Sequence, residues 1–295
     1  MRYIISMKKH TTINDFNKNF PDDDACLEHI FNQRYGKDFK CPKPDCGKTG
    51  FYRNRGKKCY SCAWCGYDIS PLAGTIFHKS STPLKNWFFA IFLMSTSKNG
   101  VSAKEIQRQT GVTYKTAWRM QRQIRLLMRP DGEPLSGTIE IDDTYIGGKR
   151  PGKRGRGAEG KTPVFGMVER EGDVKASVVK NLKMRTIKPL ISENVEKKSA
   201  IYSDEFLSYQ NIKNYDYTHD VIKHRIKEYA KGHVHTNTIE GFWSQLKRSI
   251  HGTYHSVSPQ HLQLYVDEFA YRYNHRASSV PVFELLLQRV VSMPS

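Results

Sequence analysis

Three acidic residues, Asp142, Asp204 and Glu240, stand 62 and then 36 positions apart, and Lys247 follows the last at a helical distance. Carboxylates are the hard oxygen donors that Mg2+ or Mn2+ takes, and a pair of such ions serves in-line phosphoryl displacement. A second set of donors is soft. Cys41-Pro-Lys-Pro-Asp-Cys46-Gly and Cys62-Ala-Trp-Cys65-Gly are two short-spaced cysteine pairs with 15 residues between them. They match two knuckles of a four-thiolate zinc ribbon, where glycine permits the tight turn after each pair. Cys59 competes with Cys62 for one ligand position, and Cys62 is preferred because it makes the two-residue spacing with Cys65. The role of this Zn2+ is structural, since so small a block buries too little apolar surface to fold alone.

Isolated carboxylates are common on any surface, so the elements that carry them matter. Thr138-Ile-Glu-Ile-Asp142 alternates as a half-buried strand does, and reads as a strand that ends at Asp142. The alternation puts Glu140 and Asp142 on one face and Asp143 on the other. Ala200-Ile-Tyr-Ser203 is a second strand with Asp204 at its end, so the two aspartates approach if the strands are neighbours. His235 to Arg248 reads as a helix whose residues 240, 243, 244 and 247 share a face, with Lys247 two turns from Glu240. Asn237 lies one turn before Glu240 on the same side and is a rival oxygen ligand. Pro163 to Arg170 and Val174 to Lys180 read as further strands.

The remainder of the chain narrows the partner. Lys and Arg outnumber Asp and Glu by 47 to 29, giving a net charge of +18 over 295 residues, which favours a polyphosphate over an acidic small molecule. An apolar content of 38% is enough for a sizeable core and excludes a disordered chain. The longest apolar run, Trp87 to Met94, is too short to cross a membrane. The N-terminus lacks the apolar core of a signal peptide, so a cytoplasmic location is expected, where clustered cysteines are metal ligands rather than disulfides.

Between the two donor sets, Val101 to Met120 has the order of a helix-turn-helix. Ser102 and Glu105 make a capping box, Gly111 supplies the turn, and Thr113 caps a second helix bearing Tyr114, Lys115, Arg119 and Arg122. Such a helix presents its first residues to base edges and its cations to phosphates. Trp87 and Trp118 read as core, on apolar helical faces. Gly147 to Gly157 is a glycine-rich basic loop whose Lys149, Arg150, Lys153, Arg154 and Arg156 are candidate phosphate contacts. The histidines of the last third, His219 and His235 among them, read as exposed groups or phosphate contacts. The expected organisation is an N-terminal helix and zinc ribbon over residues 1–70, a helix-turn-helix domain over 71–130, a mixed α/β domain over 136–280, and a C-terminal helix over 281–295.

At this point the chain resembles the zinc-ribbon-containing DDE transposases of bacterial insertion sequences. The resemblance rests on Cys41 to Cys65, Ala73-Gly-Thr-Ile-Phe77, Thr113 to Trp118, Glu140 to Gly148, His235 to Trp243, Leu246 to Arg248, Gly252 to His255 and Phe269 to Asn274. It departs from the usual ribbon in having four residues, not two, inside the first knuckle. It implies a multidomain α/β protein with an RNase H-like catalytic domain, in which Asp142, Asp204 and Glu240 hold Mg2+ or Mn2+ and Lys247 attends them. The implied partners are double-stranded DNA, as terminal inverted repeats and as target, and further copies of the chain on paired ends. The competing readings are a zinc-ribbon transcriptional regulator and an RNase H-like nuclease that does not join strands.

Overall fold

A computed structural model describes residues 11–147, 160–205, 216–222 and 235–292. They divide into two compact units: the chain up to Leu127 together with Ser278 onward, and Met128–Ala277.

The first unit combines helices with a small ribbon. Helix α1 (Ile13–Asn19) opens on a capping box between Thr12 and Asp15, and α2 (Asp23–Tyr35) is capped by the Asp22 side chain on the Ala25 amide at 2.9 Å. Strands β1 (Phe51–Asn54), β2 (Cys59–Cys62) and β3 (Asp68–Ile69) form an antiparallel sheet in that order. Its Tyr60 ring stacks on Phe31 of α2 at 4.0 Å, so the ribbon shares a core with the preceding helix. Helix α3 (Leu84–Thr96) follows Pro83 and buries Leu84, Trp87, Phe88, Ile91 and Met94. Being apolar nearly all round, it must be enclosed, and Phe16 of α1 and Phe283 of the last helix, Val282–Ser292, meet Phe92 from two sides. The C-terminal helix therefore belongs with the N-terminal elements. Helices α4 (Ala103–Thr110) and α5 (Tyr114–Leu127) pack on each other and on α3, burying Ile106, Ala117, Met120 and Ile124, and Gly111 makes the left-handed turn at φ 72°. Ser102 accepts from the Glu105 amide at 3.1 Å, but the Glu105 carboxylate turns to Arg108 and Gln109, so only half of the expected capping box forms.

The second unit is a mixed sheet between helices. Strands β4 (Thr138–Ile146), β5 (Thr162–Glu169) and β6 (Val174–Val178) are antiparallel, while β7 (Ala200–Asp204) and β8 (Thr218–Ile222) run parallel to β4, in the order β6-β5-β4-β7-β8. Helix α6 (Met184–Asn194) makes the crossover from β6 to β7. It closes one face through Ile187 and Ile191 against Ile139, Ile141, Phe165 and Ile201. Helices α7 (Asn237–Ser249) and α8 (Pro259–Asn274), joined by a π-helical turn over Ile250–Tyr254, close the other against Val164, Val168 and Val174. The free edge of β6 is occupied by α8. Gln263 accepts from the Val178 amide and donates to the Ala176 carbonyl, and Asn274 does both for Val174. Eleven residues of helix span about 16 Å, matching the short strand, and the two amides satisfy an edge that would otherwise invite another strand.

Candidate active site

The soft donors converge within the ribbon. The Cys41 and Cys65 sulfurs lie 3.6 Å apart, those of Cys46 and Cys62 3.7 Å apart, and all four fall within 4.8 Å of one another. A tetrahedral Zn2+ with Zn–S bonds of about 2.3 Å has sulfur–sulfur edges of about 3.8 Å, so this set fits the ion. Cys59 sits at the start of β2 opposite Asn54 and is not among the four. The long first knuckle still closes, with the Cys46 amide on the Lys43 carbonyl at 3.0 Å, and Gly47 and Gly66 turn at φ 54° and 70°. Amides of Trp64 and Cys65 pull the Cys62 thiol down to about 7, while burial pushes the Cys41 thiol up to about 12, so without an ion the four sulfurs do not share their protons equally. Cys26 is instead buried in α2, where burial pushes its thiol up to about 12.

The carboxylates come from three separate elements, two strands and a helix. Strand β4 does not end at Asp142 but runs on to Ile146, because Thr144, Tyr145 and Ile146 continue the ladder with β5. What ends is the parallel pairing with β7, whose last pair is Glu140 with Tyr202. Asp142 and Asp204 each stand two residues beyond that pair, on one face of the sheet. Glu240 lies in the first turn of α7, its Oε1 accepting from the Thr236 hydroxyl at 3.1 Å. Burial pushes the Asp142 carboxyl up to about 7, and the charges of Asp143, Asp204 and Glu240 add to that push against the Asp143 amide. These are hard oxygen donors of the kind a divalent cation takes, and a cation would relieve the repulsion that Asp204 and Glu240 exert on Asp142. Among the described residues, however, only the four cysteines already hold their donor atoms within 4.8 Å of one another. Asn237, the first residue of α7, is exposed, and Lys247 is half-buried two turns beyond Glu240.

Two supports of Asp142 were not singled out in the sequence. Trp243 donates its indole N–H to Asp142 Oδ2 at 3.2 Å. Directly across the ladder from Asp142 is Gly166, and a Cβ there would lie 2.5 Å from the Trp243 ring. The missing side chain at Gly166 leaves room for the indole where it reaches the carboxylate. His219 is also not the exposed group the sequence led us to expect. It is buried on β8, its Nε2 2.8 Å from the Ser203 hydroxyl, because parallel pairing with Ile201 turns it into the α6 face of the sheet. His235 is half-buried, its Nδ1 3.2 Å from Glu140 Oε1.

In the first unit, Thr113 caps α5 by accepting from the Thr116 amide at 3.2 Å, and Tyr114, Lys115, Arg119 and Arg122 are exposed along the helix. Trp118, expected in the core, is 36% exposed. The buried stripe of α5 runs through Ala117, Met120, Gln121 and Ile124, and residue 118 falls outside it, one turn beyond Tyr114. The basic loop bearing Lys149, Arg150, Lys153, Arg154 and Arg156 lies outside the described residues. Among the described residues no helix is long and apolar enough to cross a membrane.

Comparison with known proteins agrees with both halves of this picture. Residues 134–274 match the model of the ISXO2-like transposase domain, and residues 21–68 that of the transposase zinc-ribbon domain. A Halobacterium salinarum protein described as an uncharacterized protein in transposable element ISH50 is 29% identical over 231 residues, covering 72% of this chain and 77% of that one. A Haemophilus influenzae protein described as an uncharacterized transposase-like protein is 32% identical over 98 residues, covering 33% of this chain and 78% of that one. Among solved structures, a chain of the simian T-cell lymphotropic virus intasome, determined in complex with a PP2A regulatory subunit, aligns at 11% identity over 63% of this chain and 70% of that one with a TM-score of 0.34. The ribbon model ends just past the fourth cysteine and the transposase model takes in all three carboxylates, and the chain belongs to the zinc-ribbon-containing DDE transposases of insertion sequences.

Proposed function

We propose that this chain binds the ends of its insertion sequence and catalyses metal-dependent strand cleavage and strand transfer at one site built from Asp142, Asp204 and Glu240. The observation that carries the reading is the convergence on Asp142. A carboxyl raised to about 7 by burial and by three acidic neighbours, Asp143 beside it on β4 and Asp204 and Glu240 from two other elements, is costly unless a cation belongs there. The site would hold Mg2+ or Mn2+, which when bound lowers the pKa of an attacking oxygen and offsets charge on the leaving one. Water attacks the phosphodiester at the element end and frees a 3′-hydroxyl; that hydroxyl then attacks a target phosphodiester, displacing its 3′-oxygen. Asp142 and Asp204 anchor the site on the sheet, Glu240 closes it from the helix, and Trp243 keeps Asp142 oriented. Lys247 supports the phosphate from two turns along α7. Glu240 is preferred over Asn237 because a carboxylate binds Mg2+ more strongly than an amide.

Zinc in the four-thiolate cluster is structural, and DNA engages Thr113, Tyr114, Lys115, Arg119 and Arg122 of α5 together with Lys149, Arg150, Lys153, Arg154 and Arg156 of the basic loop. The DNA partners are the terminal inverted repeats and the target duplex, the working form is a homo-oligomer on paired ends, and the setting is the bacterial cytoplasm and nucleoid. Asp142→Ala and Asp204→Ala test the reading on labelled end DNA: cleavage is lost while binding to the end is kept, and Mg2+-dependent cleavage persisting at the wild-type rate sinks it.

A further inference from the structure

Two residues before each of the three carboxylates stands a residue that belongs to a single polar cluster around the buried Glu140: Glu140 before Asp142, and the half-buried Tyr202 before Asp204 and Thr238 before Glu240. Glu140 is wholly buried. Its carboxylate accepts from Arg170 Nε at 2.9 Å, from the Thr238 amide at 2.8 Å, from the Thr238 hydroxyl at 2.8 Å and from the Ile239 amide at 3.2 Å. Arg170 follows β5, and its own amide is tied to the Thr138 carbonyl at the start of β4. Its guanidinium lies 4.9 Å from the Tyr202 ring centroid, and Nη2 donates to the His235 carbonyl at 3.1 Å, just before α7 begins.

A buried carboxylate is costly unless its oxygens are filled with donors. Here the donors are an arginine and the first amides of a helix whose dipole also favours negative charge there. The same carboxylate therefore ties the end of α7 to the middle of β4, while Arg170 ties both to β7 through Tyr202.

We infer that Glu140 and Arg170 are positioning residues that set the separation of the three metal-binding carboxylates, acting through Tyr202 and Thr238. The inference rests on the proposal that Asp142, Asp204 and Glu240 hold the catalytic metal. Holding a residue two positions short of each ligand limits how far that ligand's Cα can travel. Outer-shell partners of this kind govern metal affinity about 10–100-fold when they are changed.

The test is Mn2+ binding to the zinc-loaded full chain, followed by electron paramagnetic resonance without DNA, together with amide exchange at Thr238 and Ile239. Glu140→Gln keeps the size but sets a donor against donors. The expected result is Mn2+ binding weakened about 10–100-fold, faster exchange at those two amides, and unchanged protection in the β4–β5 ladder. Thr238→Ser, which keeps the hydroxyl, binds Mn2+ as the wild type does. Wild-type affinity in Glu140→Gln overturns the inference. Where Glu140→Gln loses protection throughout the unit, Thr238→Val decides: weakened Mn2+ binding in a folded protein supports the positioning role, and wild-type binding overturns it. Asp142→Ala separates the two ideas, since Mn2+ binding that survives it contradicts the metal site, whereas exchange at Thr238 and Ile239 still reads the latch.

Discussion

The four-thiolate cluster and the proposed carboxylate site of this chain pose the same problem at opposite scales. The thiolates span Cys41 to Cys65 and are brought together by two turns and a three-stranded ribbon. The carboxylates span Asp142 to Glu240 and come from two strands and a helix, which Glu140 of β4 links through hydrogen bonds to Arg170 and to the Thr238 amide. In the ribbon the metal contributes the fold; in the catalytic unit the fold must exist first and force like charges together. Metal removal should thus unfold the first site and relax the second.

The largest effect expected from this contrast is on chemistry. Asp142→Asn should lower strand cleavage by about a thousandfold or more, since metal stabilisation of the developing charge amounts to several kcal/mol, while the melting temperature holds or rises because a strained buried charge is gone. A parallel loss of stability would mean that Asp142 serves the fold instead. Cys62→Ser should reverse the pattern: bound zinc falls from one equivalent toward none and the ribbon loses its amide protection, with the α/β unit still folded. Cys59→Ser should keep its zinc, and zinc loss there would move the ligand set.

A smaller effect is expected where the two demands meet. Gly166→Ala places a methyl against the Trp243 ring, so the indole must leave Asp142. Overpacking of this kind costs about 1–3 kcal/mol, and cleavage should fall with it; a variant as stable and active as the wild type would remove Trp243 from the account. The smallest effect is a pH slope. Burial pushes Asp267 of α8 up to about 6 against the hydrogen bond from Gln263 and the charge of Arg129. Its folded value thus lies above the unfolded value of about 4. The folded state keeps a proton that the unfolded chain has lost, so this stabilisation is complete below about pH 4 and fades as pH rises through 6. Asp267→Asn should flatten that part of the melting curve against pH, and an unchanged slope would contradict it.

The difference in scale also explains what was legible in the sequence. The ribbon ligands are local, so spacing alone separates Cys62 from Cys59, and the geometry agrees. The strands bearing Asp142 and Asp204 and the helix bearing Glu240 show in alternation and helical periodicity. Gly166 and Trp243 do not, because their meaning arises only when β5 and α7 lie against β4. Glu140 reads as an acidic neighbour of Asp142 until the amides of Thr238 and Ile239 are seen to end on it. Trp118 misleads for a different reason: indole is apolar enough to read as core, and only the packing of α5 on α4 shows which face is buried. His219 is the opposite case, a polar residue that a neighbouring strand's serine lets the interior accept.

The central claim is tested most directly by joining. Purified protein is incubated with labelled element ends and a target plasmid in Mg2+, and the products are sequenced, with Glu240→Ala and Asn237→Ala run alongside. The account predicts end-to-plasmid junctions from the wild type, their loss in Glu240→Ala, and their persistence in Asn237→Ala. Junctions made as well by Glu240→Ala as by the wild type, or cleaved ends that are never joined, would contradict it.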